Sequence, residues 1–216
     1  MQVGNPTAAL AGVPAGVQAN GLWIGRRQLF VKFAAEAETA TMYTAEALAN
    51  ELGRLAKRST YHSISVSGRD PLSNAAFLRA AFKASAPPLP VMLDCDGQRP
   101  EALGGLGPLL ALIQVTLEGA ASDSEVEHAL ESLRVAAAEN VAHALVLAAD
   151  DSTTDGQLLR AISQAHKTSE RVAIVIHPPS ESVEKDRRWL TCMEQAAALH
   201  VDTRLLLRLP RPSGMR

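Results

Sequence analysis

The feature that most constrains this chain is an alternation of seven short apolar runs with six amphipathic stretches. The runs fall at residues 28–33, 62–66, 90–93, 112–117, 142–148, 171–176 and 203–207. Between them lie segments 44–57, 73–85, 100–109, 122–139, 153–167 and 183–199. Leu48, Leu52 and Leu55 recur at three- and four-residue spacing, as do Val126, Leu130 and Leu133 with Ala137, so each set forms one stripe along a helix. Thr44, Ser122-Asp123-Ser124-Glu125 and Ser152-Thr153-Thr154-Asp155 put side-chain oxygens and negative charge where helix N-termini favour them. Strands alternating with helices imply a parallel sheet covered by helices, and right-handed crossovers curl such a sheet toward a barrel. Six or seven units fall short of eight. The expected fold is therefore α/β, an open partial (β/α)6-type TIM-like barrel.

At 216 residues the chain suits one domain with a substantial core, expected over residues 26–209. Residues 1–25 are rich in Gly, Ala and Pro without a clear period and read as an irregular N-terminal segment, while residues 210–216 read as a fraying tail. A net charge of -2 supplies no general attraction to nucleic acid or to an anionic membrane, and neither is expected as a partner. The first twenty residues lack a basic start and a sustained apolar run, and no stretch approaches the ~20 apolar residues of a membrane span. A cytoplasmic protein is the expectation. Cys95 and Cys192, far apart, read as free, small buried side chains rather than a disulfide framework.

Chemistry-bearing side chains collect where the strands end. Asp70, Asp94, Asp96 and His177, with Glu118 beside them, stand at or just past the carboxyl ends of apolar runs, where α/β proteins bind ligands. Asp94 and Asp96 face the same way if the strand stays extended, and with His177 they could hold a divalent cation. Each also has a commoner role: Asp70 as the cap of the next helix, Asp94-Cys95-Asp96-Gly97 as a turn, His177 as a partly exposed loop residue. Lys32 is expected in a strand-edge ion pair, with a Schiff-base lysine the rarer alternative. The arginines at 187, 188, 204, 208, 211 and 216 are expected as solvated charges, or as a basic end for an acidic partner. Gly104-Gly105-Leu106-Gly107 lacks a P-loop lysine and is expected to be a turn. No nucleophile elbow is present.

Six segments carry a family resemblance by their order. They are Gln18-Ala19-Asn20-Gly21, Gly25-Arg26-Arg27, Leu29-Phe30-Val31-Lys32-Phe33, Gly68-Arg69-Asp70-Pro71-Leu72, Leu93-Asp94-Cys95-Asp96-Gly97 and Ile113-Gln114-Val115-Thr116-Leu117-Glu118. Together they resemble the radical S-adenosylmethionine (SAM) enzymes, most closely the 7-carboxy-7-deazaguanine synthase and activating-enzyme branch. That branch reads QGEG, GRP, FVRFxGC, GGEPL, DTNG and VDLK in the same order. The resemblance implies a partial barrel whose first strand leads into CxxxCxxC, three thiolates holding a [4Fe-4S] cluster. Here Phe33 is followed by Ala34-Ala35-Glu36-Ala37-Glu38-Thr39-Ala40-Thr41, without cysteine and shortened. Alanines, carboxylates and threonines do not replace soft thiolates as cluster ligands. In the family the glycine pair lets the backbone approach the methionyl amine of SAM. Here the second glycine is Arg69 and the glutamate is Asp70, which puts bulk and positive charge where an ammonium group was accommodated.

The resulting expectation is a cluster-free pseudoenzyme without cofactor or resident metal. It would act as an interaction or regulatory subunit whose protein partner is itself or an intact paralogue. The alternative is a repurposed small-molecule binder or metal-dependent enzyme. The candidate ligand pocket comprises Gly68, Arg69, Asp70, Asp94, Asp96 and His177.

Overall fold

The computed structural model describes residues 6–36, 38–179 and 187–209. Among the described residues ten strands form one sheet: β1 (Thr7–Gly12), β2 (Ala15–Val17), β3 (Arg27–Phe33), β4 (Thr41–Thr44), β5 (Ser63–Gly68), β6 (Val91–Cys95), β7 (Leu112–Glu118), β8 (Ala142–Ala148), β9 (Ala173–His177) and β10 (Thr203–Leu205). Five helices among the same residues connect them: α1 (Ala45–Ala56), α2 (Ala75–Ala84), α3 (Asp123–Ala138), α4 (Asp155–Thr168) and α5 (Arg188–Leu199). The seven apolar runs of the sequence are β3 and β5 to β10, all parallel and adjacent in chain order. The sheet is open, with β4 at one edge and β10 at the other.

Consecutive order is what puts the helices on one face, because each right-handed crossover steps the same way along the sheet. Alternate strand residues point to that face. Leu29, Val31, Ile64, Val66, Leu93, Val115, Leu145 and Ile174 join Leu48, Leu52, Phe77, Leu133, Ile162 and Trp189 of the helices in the main core. The opposite residues face a smaller cluster, Met92, Leu112, Ala144 and Ala173, covered by Leu22 and Trp23 of the loop before β3. Local chemistry starts the helices where the sequence indicates. The Thr44 side chain accepts from Ala47 N, and capping boxes join Ser122 to Glu125 and Thr154 to Gln157.

Two expectations change, and a third falls partly outside the described residues. The N-terminal segment is ordered into β1 and β2, because β1 pairs antiparallel with both β3 and β4, and β2 pairs with β3. Ala8 and Leu10 are buried there, so burial against the sheet decides what local propensity did not. Residues 100–109 form two 3-10 turns, Pro100–Leu103 and Gly107–Leu109, rather than a helix. Pro100, Pro108 and the intervening glycines interrupt any longer ladder. The expected helix over 183–199 is described from Arg188, and its start at 183–186 lies outside the described residues, as does the tail at 210–216. No helix among the described residues is long and apolar enough to cross a membrane.

Candidate functional site

The first site lies where β3 and β5 end side by side. Their register pairs Phe33 with Gly68, so the loop after one strand faces the turn after the other across a cavity of about 450 Å³. Gly68 adopts φ +102°, and a Cβ there would stand 2.3 Å from Phe33 O and 2.7 Å from Phe33 N. Glycine is therefore required by the close approach of two main chains, before any ligand is considered. Around the cavity the charges neutralise one another. Lys32 Nζ meets Glu38 Oε1 at 2.8 Å, and Arg69 meets Glu36 at 3.4 Å. The Lys32 ammonium donates to Glu38 and holds its carboxyl below the usual range. Lys32 thus stands in the ion pair expected of it.

Asp70 belongs to the same rim. Its backbone is left-handed at φ 41°, its Oδ1 accepts from Ser73 N at 3.1 Å, and its Oδ2 accepts from Arg99 Nε at 2.8 Å. It caps the 3-10 turn Pro71–Asn74, the role expected of an Asp before this turn.

The second site is a row of polar side chains on the face opposite the helices. Asp94 Oδ1 accepts from both Gln114 Nε2 and Thr116 Oγ1 at 3.0 Å. Glu118 Oε1 accepts from Arg208 at 2.6 Å. Burial pushes the Asp94 carboxyl above the carboxylate range against the pull of its two hydrogen bonds; Glu118 reinforces the rise and Arg208 opposes it. His177 is buried, with Nε2 accepting from Gly21 N at 2.7 Å and Nδ1 donating to Leu206 O at 2.6 Å. Burial holds its pKa below the ordinary 6.5.

The six candidate residues therefore separate. Gly68, Arg69 and Asp70 share the cavity rim, while Asp94 and His177 stand on the inner face. Asp96 belongs to neither, being exposed, with Oδ1 accepting from Gln98 N in its own turn. The expected pairing of Asp94 with Asp96 fails because β6 ends at Cys95, which stops the alternation that would align them. His177 is not an exposed loop residue, and both of its ring nitrogens are engaged within the protein. Among the described residues no three His, Cys, Asp or Glu side chains stand together as metal ligands would.

Four participants stand outside the candidate pocket expected from sequence: Gly21, Gln114 and Thr116, which belong to the family-like segments, and Arg208, one of the C-terminal arginines. The polar Gln114 and Thr116 interrupting an apolar run were the available signal, since only one face of a strand carries them. Three of the C-terminal arginines meet the chain's own carboxylates: Arg188 with Asp155, Arg204 with Asp202 and Arg208 with Glu118. Arg211 and Arg216 lie outside the described residues. Cys95 and Cys192 are free and buried, and burial pushes the Cys95 thiol up to about 12.

Fold and site together define a mixed α/β protein with an open, mostly parallel sheet, helices on one face and a polar row on the other. Comparison with known proteins goes little further. No family model matches the sequence, and no curated protein does. Among solved structures, an enolase from Pseudomonas fluorescens Pf0-1 with bound magnesium, potassium and tartrate is similar at 12% identity and a TM-score of 0.37. The match covers 89% of this chain and 48% of that one, so the chain spans about half its length.

Proposed function

We propose that this chain is a cluster-free, radical-SAM-like pseudoenzyme on a partial-barrel scaffold, acting as an interaction or regulatory subunit with a second copy or an intact paralogue. One observation carries the reading. The loop after β3 and the turn after β5, which hold the altered cluster and glycine motifs, face each other across one cavity. In that cavity the positions that matter to such chemistry carry Ala34, Ala35, Glu36, Glu38 and Arg69, with Glu38 paired to Lys32 and Glu36 to Arg69. Thiolates are the chemistry a cluster needs, and none is present in this loop. Anaerobic reconstitution with ferrous iron and sulfide is expected to give no broad visible absorbance and to leave SAM intact. Stoichiometric cluster uptake overturns the reading. Mixing with an intact paralogue, followed by size-exclusion chromatography with light scattering, is expected to give a stoichiometric complex, or else a homodimer of this chain alone.

The cavity itself favours a second reading, a repurposed small-molecule binder. About 450 Å³ lined by Arg69, Asp70, Ser73 and Asn74 is room enough for a polar metabolite. A thermal-shift screen separates the two readings. Stabilisation by one compound and not by its close analogues supports the binder, because a ligand of the native state raises its apparent stability.

A further inference from the structure

The segment Gln18–Arg26 closes on itself and lies over the inner face of the sheet. Gln18 N donates to Arg26 O and Gly25 N to Gln18 O, both at 2.9 Å, while Leu22 and Trp23 rest on Met92, Leu112, Ala144 and Ala173. Side chains of the sheet hold its backbone at two points. Gly21 N donates to His177 Nε2 at 2.7 Å and Leu22 N donates to Gln114 Oε1 at 3.0 Å. The seat is closely fitted. Gly21 adopts φ +74°, and a Cβ there would fall 1.9 Å from Gln114 Oε1.

The hydrogen bonds fix the state of the ring. His177 donates through Nδ1 to Leu206 O, so an Nε2 that accepts from a backbone N–H carries a lone pair, and the imidazole is neutral. We propose that His177 is a proton-operated latch: neutral, it holds the loop Gln18–Arg26 closed over the inner face, and protonated at Nε2 it releases the loop and opens the buried Gln114, which donates to the half-buried Asp94, to solvent or ligand. The proton comes from solvent and takes up the Nε2 lone pair. Two N–H groups then point at each other, and the contact with Gly21 breaks. The Nδ1 contact to Leu206 survives, so the ring stays on β9 while the loop leaves.

The charged groups around the ring come from two other elements. Glu118 of β7 favours the protonated ring, and Arg208 of the C-terminal segment opposes it; the two are paired with each other. Asp94 of β6 lies on the same face and joins the latch through Gln114, which accepts from Leu22 N and donates to Asp94. Desolvation leads among the influences on the ring and keeps it neutral at physiological pH. The sign follows from linkage. The released ring binds a proton more readily than the seated one, so closure is complete above the ordinary 6.5 and is lost as pH falls toward the ring's lowered value. Each unit of lowering corresponds to about a tenfold fall in the closed-to-open ratio.

Hydrogen–deuterium exchange of the full chain tests it, corrected for intrinsic rates and read at about pH 7.5 and about pH 5.5. Peptides covering residues 18–26 are expected to lose protection by up to about tenfold at the lower pH. Peptides of β7 and β8 should keep theirs. His177→Gln retains an acceptor that does not titrate, and in that variant the loop is expected to stay protected at both pH values. Equal loss of protection in the variant overturns the latch. If the variant does not fold, proton–nitrogen NMR of the native chain decides. The Gly21 amide is expected to shift with the same midpoint as the His177 ring, and a Gly21 amide indifferent to that titration overturns the proposal.

Discussion

Asp94 is the residue whose surroundings agree least with its charge. Burial raises its carboxyl, and its two hydrogen-bond donors, Gln114 and Thr116, are neutral. A raised folded-state pKa makes the ionised form costly in the fold, so the strain is present at neutral pH and relieved as pH falls. Asp94→Asn keeps an acceptor oxygen for both donors and removes the charge. It is expected to raise stability in urea unfolding by about 1 kcal/mol near pH 7, with the gain shrinking toward about pH 4 as the native carboxyl protonates. A loss of stability at pH 7 would show that attraction to Arg208 outweighs desolvation. Asp94 was legible in sequence as a carboxylate near a strand end. Asp96 was equally legible and reads differently once folded, because the strand stops between the two residues. His177 was visible at its strand end too, but nothing local reveals that Gly21, far earlier in the chain, would meet it.

At the scale of elements, the segment after β6 shows a turn held from outside itself. Gly105 N and Gly107 N donate to the two carboxylate oxygens of Glu139, at 2.8 and 2.7 Å. Glu139 sits at the C-cap of α3, so one side chain fastens the glycine-rich turn to the end of that helix. A Cβ at Gly107 would stand 1.9 Å from Glu139 Oε2, and the turn is built around that carboxylate. Glu139→Ala is expected to cost about 2 kcal/mol in urea unfolding, the scale of hydrogen bonds to a charged acceptor. Glu139→Gln should recover part of the loss, because one acceptor oxygen remains. An unchanged midpoint in Glu139→Ala would show that the turn holds without the clamp. The seven β-branched and apolar runs were legible because their periodicity is local. The two 3-10 turns and strands β1, β2 and β4 were not, because prolines and glycines limit the first and long-range pairing creates the others, β1 and β2 on β3 and β4 on β1.

Across the whole molecule, two buried histidines make stability depend on pH in one direction. Burial holds both His143 and His177 below their ordinary 6.5, and both are engaged as neutral rings. The unfolded chain takes up those protons first, so their contribution is complete above that value and is lost as pH falls through the lowered folded values. The urea midpoint is expected to be level from about pH 8 to 7 and to fall by about pH 5, by roughly 1 kcal/mol for each histidine. A level midpoint down to pH 5 would show both rings titrating as they do in the unfolded chain. The sequence by itself determined the alternation of strands and helices, the capped helix starts and the absence of thiolates after β3, because each is written within a few neighbouring residues. Only the tertiary structure decided which strand-end residues meet, that residues 7–17 join the sheet, and that Gln18–Arg26 covers its inner face. Those outcomes depend on contacts between segments as many as 156 positions apart, as Gly21 and His177 are, and no local pattern of side chains encodes a distance of that kind.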